Sequence, residues 1–171
     1  TSGEPIQARR KNVGLAAAET TDPHVIRLLC VDDHALLVEG LKVQFAIKAG
    51  IEVVGRMETA ARLVEAAERL KPSVVLLDVE LPGPDAFEMA NRLKRARPDL
   101  PIIILSAHVN NALVSAAFRV GASGYFSKAD ELEDIVRGIH EVNDGGPDSF
   151  VMSPVVRDRC LPLSASQRDR D

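Results

Sequence analysis

Residues 73–82 read SVVLLDVELP, and the fold turns on how they are understood. Four consecutive apolar residues, Val74, Val75, Leu76 and Leu77, end in the carboxylate Asp78, with a second acid, Glu80, two positions on. A run of this length that is apolar at every position suits a strand covered on both faces, the usual state of a central strand in a parallel sheet. A buried unpaired charge costs several kcal/mol, so Asp78 belongs at the rim of the core or beside a cation.

Four further stretches share the strand pattern: VIRLLCV (25–31), IEVVGRM (51–57), PIIIL (101–105) and GYF (124–126). Between and after them apolar residues recur at helical spacing. The sets are Leu37, Leu41, Phe45; Ala60, Leu63, Val64, Ala67, Leu70; Phe87, Ala90, Leu93; Leu113, Val114, Ala117, Phe118; and Leu132, Ile135, Val136, Ile139, Val142. Five strands alternating with five helices predict an α/β, doubly wound five-stranded parallel sheet with helices on both faces, because crossovers between parallel strands are right-handed.

The bulk numbers agree. A chain of 171 residues suits one domain with tails, and 46% apolar with 27% charged residues describes a globular protein able to bury a core. The formal charge of -4 gives no general attraction to nucleic acid or to an anionic membrane. No window approaches a spanning length of apolar residues, so no membrane association is expected. Cys30 and Cys160 match no metal spacing; Cys30, inside an apolar run, reads as a buried thiol, which fits a reducing cytoplasm. Residues 1–23 show no sustained period and read as a flexible N-terminal extension. Gly145, Gly146 and Pro147 break the last helix, so the domain is expected to span 24–145, with 146–171 a linker or C-terminal tail too poor in apolar residues to build a core.

In an open parallel sheet, functional groups gather beyond the carboxyl ends of the strands. Those ends carry Asp32 and Asp33, Asp78, Ser106, and Ser127 leading into Lys128. Three neighbouring carboxylates repel one another unless a cation joins them, and an oxygen-only donor set selects a hard ion such as Mg2+. Magnesium shares its shell readily with phosphate, which points to phosphoryl chemistry. In such chemistry Ser106 could donate to one phosphoryl oxygen, Lys128 could pair with another, and Asp78 could serve as the nucleophile that holds an acyl phosphate. Each residue also has a plainer use: Asp32 or Asp33 as a helix cap, Ser106 as a loop residue, Lys128 as a solvated lysine. His34, His108 and His140 share no metal spacing and need no function.

The stretches VDDHALLVEGL, VVLLDVELPGPDAFEMANRLK, ILSAH and GASGYFSKAD, in that order, resemble the receiver domain of bacterial two-component response regulators, in its NarL/FixJ (LuxR-type) form. The resemblance implies a flavodoxin-like fold with strand order 2-1-3-4-5. It makes Asp78 the phosphoacceptor, Asp32 and Asp33 the acid pair that with Asp78 and the backbone carbonyl of Glu80 holds Mg2+, and Ser106 and Lys128 the hydroxyl and lysine of the site. It also makes Ser106 and Tyr125 the switch pair, and Glu80 and His108 the residues that tune acyl-phosphate hydrolysis. The implied role is a phosphoacceptor signalling domain and not an enzyme, with only self-catalysed acceptance and slow loss of the phosphoryl group.

Its implied partners are a sensor histidine kinase or phosphotransfer protein and a phosphorylation-dependent homodimer. DNA would be a partner, and transcription the output, only through a C-terminal helix-turn-helix. LPLSASQRDRD resembles the lead-in to such a domain and so reads either as its truncated start or as the tail of a stand-alone receiver that acts through protein contacts. An aspartyl-phosphate phosphatase is the rival reading; it typically carries a second Asp two positions after the nucleophile, where this chain has Glu80. Ala86 and Ala129 stand where most receivers have Gly and many have Pro.

Overall fold

The structure, a computed structural model, describes residues 24–48 and 50–160; the expected N-terminal extension and the LPLSASQRDRD segment lie outside the described residues. Its elements are β1 (Ile26–Val31), α1 (Ala35–Ile47), β2 (Ile51–Met57), α2 (Leu63–Leu70), β3 (Val74–Asp78), α3 (Ala86–Ala96), β4 (Ile102–Ser106), α4 (Asn111–Arg119), β5 (Gly124–Ser127), α5 (Leu132–Asp144), β6 (Val151–Met152) and α6 (Pro154–Arg159). The strands form one sheet in the order β2-β1-β3-β4-β5-β6, and every pairing is parallel.

The central strands β3 and β4 are buried at every position, as the unbroken apolar runs require. Alternate side chains serve opposite cores. Leu28, Cys30, Val74, Leu76, Ile103, Leu105 and Phe126 face the buried sides of α1 and α5, where Val38, Leu41, Phe45, Ile135 and Ile139 lie. Leu29, Val31, Val75, Leu77, Ile102, Ile104 and Tyr125 face α2, α3 and α4 through Leu63, Ala67, Ala90, Leu93, Val114 and Ala117. Cys30 is buried as expected, and burial, aided by the charge of Asp32, pushes its thiol up to about 12.

The sheet departs from expectation at its edge. The sequence predicts five strands and a domain ending near residue 145; the sheet has six, and the packed unit continues to Cys160. Val156 and Cys160 join the core on the α2–α4 side, and Phe150 meets Phe118 of α4 edge to face at 5.5 Å. Gly124 makes room for β6, because a Cβ there would lie 2.8 Å from the Val151 carbonyl oxygen. A two-residue strand carries no periodicity, so the segment reads as a linker until its contacts are seen. The recoverable signal is Ser153-Pro154, suited to an N-cap and first helical residue, followed by Val156 and Cys160 at helical spacing.

Gly138, inside α5, gives the first expected outcome. A Cβ there would lie 2.5 Å from Cζ of Phe126, which is fully buried. Alanine gains about 1 kcal/mol of helix propensity over glycine, yet forcing a carbon into a packed core costs about 1–3 kcal/mol. Gly138→Ala is therefore expected to melt below the parent. A higher melting temperature would mean that Phe126 has room to move.

Candidate functional site: an acid cluster at the carboxyl ends of the strands

The carboxyl ends of β1, β3, β4 and β5 meet at one edge of the sheet. Asp78 closes β3 and is fully buried; Asp32 follows β1 and is 3% exposed; Asp33 is exposed. Neither acid of the pair caps α1, whose N-cap is His34. Asp32 instead folds the loop back on itself, its Oδ1 accepting from His34 N at 2.7 Å. Asp78 makes the equivalent turn after β3, its Oδ1 accepting from Glu80 N at 2.9 Å.

Lys128 reaches this pair from the turn after β5. Its Nζ donates to Asp78 Oδ2 at 2.6 Å and lies 3.2 Å from Asp32 Oδ2. Burial alone would lower the ammonium's pKa, but the hydrogen bond to Asp78 and the charges of Asp32 and Asp78 outweigh it and hold the lysine above its ordinary value. Asp32 Oδ2 is nevertheless a buried carboxylate oxygen that accepts no hydrogen bond. With Asp33 beside it, that oxygen, which among the described residues has the Lys128 charge near it but no hydrogen bond, marks where further positive charge fits.

His34 is the residue that sequence reasoning missed. Asp32, Asp33, His34 and Asp78 each offer one ligand atom, all within 4.8 Å of one another. His34 Nδ1 lies 3.0 Å from Asp32 Oδ1, 3.2 Å from Asp33 Oδ1 and 2.8 Å from Lys128 Nζ. One ring nitrogen cannot donate to a carboxylate and accept from an ammonium at once, so its tautomer decides which neighbour it serves. Adjacency to two acids was the available signal.

Ser106 closes β4, fully buried, with its hydroxyl turned to Glu80: Oγ donates to Glu80 Oε1 at 2.9 Å and accepts from His108 N at 2.9 Å. His108 Nε2 is 3.5 Å from the same Glu80 oxygen. Tyr125, one strand away, is also fully buried, and its hydroxyl donates to the His108 carbonyl at 2.6 Å. Burial raises the pKa of its phenol, so the group acts as a neutral donor. The Tyr125 ring is thus turned inward, against the loop that carries His108. Ala86, where glycine is commoner among receivers, begins α3 and is buried, behind the N-cap Asp85, whose side chain accepts from Glu88 N at 3.1 Å.

Comparison with known proteins identifies the family of this fold. Residues 28–140 match the family described as response regulator receiver domain. The response regulator GacA of Pseudomonas aeruginosa is 33% identical over 121 residues, covering 71% of this chain and 56% of that protein. The response regulator UvrY of Escherichia coli K12 is 30% identical over 137 residues, covering 80% and 62%. The chain thus spans a little over half the length of these relatives. Among solved structures, a two-component response regulator of the LuxR family from Aurantimonas sp. SI85-9A1 superposes with a TM-score of 0.71 at 27% identity, covering 79% of this chain and 94% of that one. The signal receiver domain of NarL from Mycobacterium tuberculosis gives 0.67 at 28% identity, covering 72% and 100%. The chain therefore belongs to the response regulator receiver domain family.

Proposed function

We propose that Asp78 accepts a phosphoryl group from a phosphohistidine of a sensor histidine kinase or phosphotransfer protein, in a Mg2+-dependent reaction in the cytoplasm. The observation that carries this reading is the buried Asp78 carboxylate, held 2.6 Å from Lys128 Nζ, beside the Asp32 and Asp33 acids. A carboxylate oxygen of Asp78 attacks phosphorus, the phosphorus–nitrogen bond breaks, and its electron pair leaves on the imidazole of the donor. Hydrolysis of the acyl phosphate later returns the carboxylate and inorganic phosphate. The donor set fits a hard divalent ion, which the carboxylates of Asp32, Asp33 and Asp78 would hold, and the resemblance adds the backbone carbonyl of Glu80 as a further ligand; a buried oxygen of Asp32 that has no hydrogen bond among the described residues supports the fit. When bound, Mg2+ neutralises charge on the phosphoryl oxygens. Lys128 covers a further oxygen.

The added charge, about -1.5 to -2, competes for the Ser106 hydroxyl. Ser106 is held by Glu80 before phosphorylation and must exchange that partner for the phosphoryl group. Ser106 and Tyr125 act as the switch, altering the face of α4, β5 and α5. The output of the whole protein is transcriptional if a DNA-binding domain follows, with phosphorylation-dependent dimerisation as the step between; GacA and UvrY are both named response regulators.

Incubation with acetyl phosphate and Mg2+ tests the reading. The expected result is an acid-stable, base-labile mass gain of one phosphoryl group. Absence of the adduct contradicts the reading, and rapid multiple turnover of a phosphate ester supports a phosphatase instead. Glu80 and His108 tune the exchange. Glu80→Asn frees Ser106 and removes a charge that repels water and the phosphoryl group, so uptake should quicken several-fold and the acyl-phosphate lifetime should change. Uptake and decay both equal to the parent's would rule out this role for Glu80.

A further inference from the structure

Lys128 owes its place to a turn, and that turn is fastened to the C-terminal segment. Ser127 ends β5, and its backbone N–H would be the next rung of the ladder toward β6, but β6 stops at Met152. Two side chains supply the rung instead. Ser127 N donates to Asp130 Oδ2 at 3.1 Å and to Ser153 Oγ at 3.2 Å. The Ser153 hydroxyl donates in turn to Asp130 Oδ2, and Val155 N donates to Asp130 Oδ1 at 3.0 Å.

Asp130 is 8% exposed and Ser153 3%, so this network lies inside the protein. A buried carboxylate needs donors, and among the described residues two of the three that Asp130 has come from beyond residue 150. The turn closes on itself through Asp130 N to Ser127 O at 3.1 Å and Ala129 N to Ser127 Oγ at 3.0 Å. On its other side Lys128 N donates to the Ser106 carbonyl at 2.9 Å. The backbone of Lys128 is thus clamped between β4 and the Asp130–Ser153 pair. A flexible four-carbon side chain meets Asp78 at 2.6 Å only while its base is held.

We infer that Asp130 and Ser153 are positioning residues for Lys128, and that the β6–α6 segment is in this way a working part of the phosphoacceptor site. The inference rests on Asp78 being the phosphoacceptor with Lys128 as its cation. It also makes the coupling reciprocal: a phosphoryl group that draws on Lys128 loads the clamp, and a pull on the C-terminal segment loosens the lysine.

The test is the rate of phosphoryl uptake from acetyl phosphate and Mg2+ by the 171-residue chain, in a double-mutant cycle. Ser153→Ala is expected to slow uptake on the order of tenfold, the scale of a sub-ångström displacement of a catalytic group, while Mg2+ affinity by titration calorimetry does not fall below the parent's. Ser153→Thr, which keeps the hydroxyl, should restore most of the rate. In a Lys128→Ala background Ser153→Ala should cause no further loss, because its effect passes through the lysine. Asp130→Asn, which keeps the volume, should behave like Ser153→Ala and serves if that variant does not fold. An equal slowing in both backgrounds, or none in either, overturns the inference while leaving the parent's uptake intact. No uptake by the parent overturns the phosphoacceptor reading on which it rests.

Discussion

Asp78→Asn is expected to abolish phosphoryl uptake while leaving the chain folded. The amide fills the same volume at a fully buried position, and it keeps one of the two contacts the carboxylate makes, to Glu80 N or to Lys128 Nζ. It also removes a negative charge from a cluster in which Asp32 and Asp33 lie close by, so the loss of a hydrogen bond is offset by relief of repulsion. An amide oxygen is a poor nucleophile and cannot form the acyl phosphate. Intact mass after incubation with acetyl phosphate and Mg2+ should stay at the unmodified value under conditions that load the parent. A full adduct on the variant would move the acceptor elsewhere.

Lys128→Met should produce the largest change in stability. Asp78 and Asp32 are almost wholly buried, and Lys128 is the cation that both face, with its own side chain 14% exposed. Removing one partner of a buried pair leaves uncompensated charge behind, at about 3–5 kcal/mol. The lower end applies here, because the site opens at the edge of the sheet. In metal-free buffer near neutral pH the variant should therefore lose about 3 kcal/mol in denaturant unfolding. Mg2+ should raise its melting temperature more than the parent's, since the ion supplies the missing charge to the folded state alone.

The pH profile has a definite sign. Lys128 has its pKa raised above the ordinary 10.5 in the folded chain, so its contribution is fully present below 10.5 and is lost as pH rises through the raised value. The stability gap between parent and variant should hold across neutral pH and narrow in strongly alkaline buffer, where Lys128 itself loses its charge. Equal stability of the two proteins near neutrality would show that the acids do not depend on the lysine.

Most of the fold is legible in the sequence because it rests on simple periods. The apolar runs at 74–77 and 102–105 have no polar face, and only a strand buried on both sides accommodates them. The site is legible for a related reason: acids, a hydroxyl and a lysine at successive strand ends are brought together by the parallel topology alone. What was not legible depends on contacts between distant segments. Asp130 looks like an ordinary loop acid until Ser153 and Val155 are seen to donate to it. His34 sits on a helix end beside two acids, but its 2.8 Å approach to Lys128 Nζ follows only from the fold, which brings the turn after β5 next to it. Ser106 has the residue type of a phosphoryl ligand, but its engagement by Glu80 follows from the course of the loop after β3, which no spacing rule supplies.

The most direct measurement of the central proposal is to locate the phosphoryl group. The chain is loaded with acetyl phosphate and Mg2+, the acyl phosphate is reduced with borohydride, and the converted residue is mapped by peptide mass spectrometry. The expected result is conversion at Asp78, within the SVVLLDVELP stretch, and at no other carboxylate. Conversion at Asp32, Asp33 or Glu80 with Asp78 unmodified would contradict it.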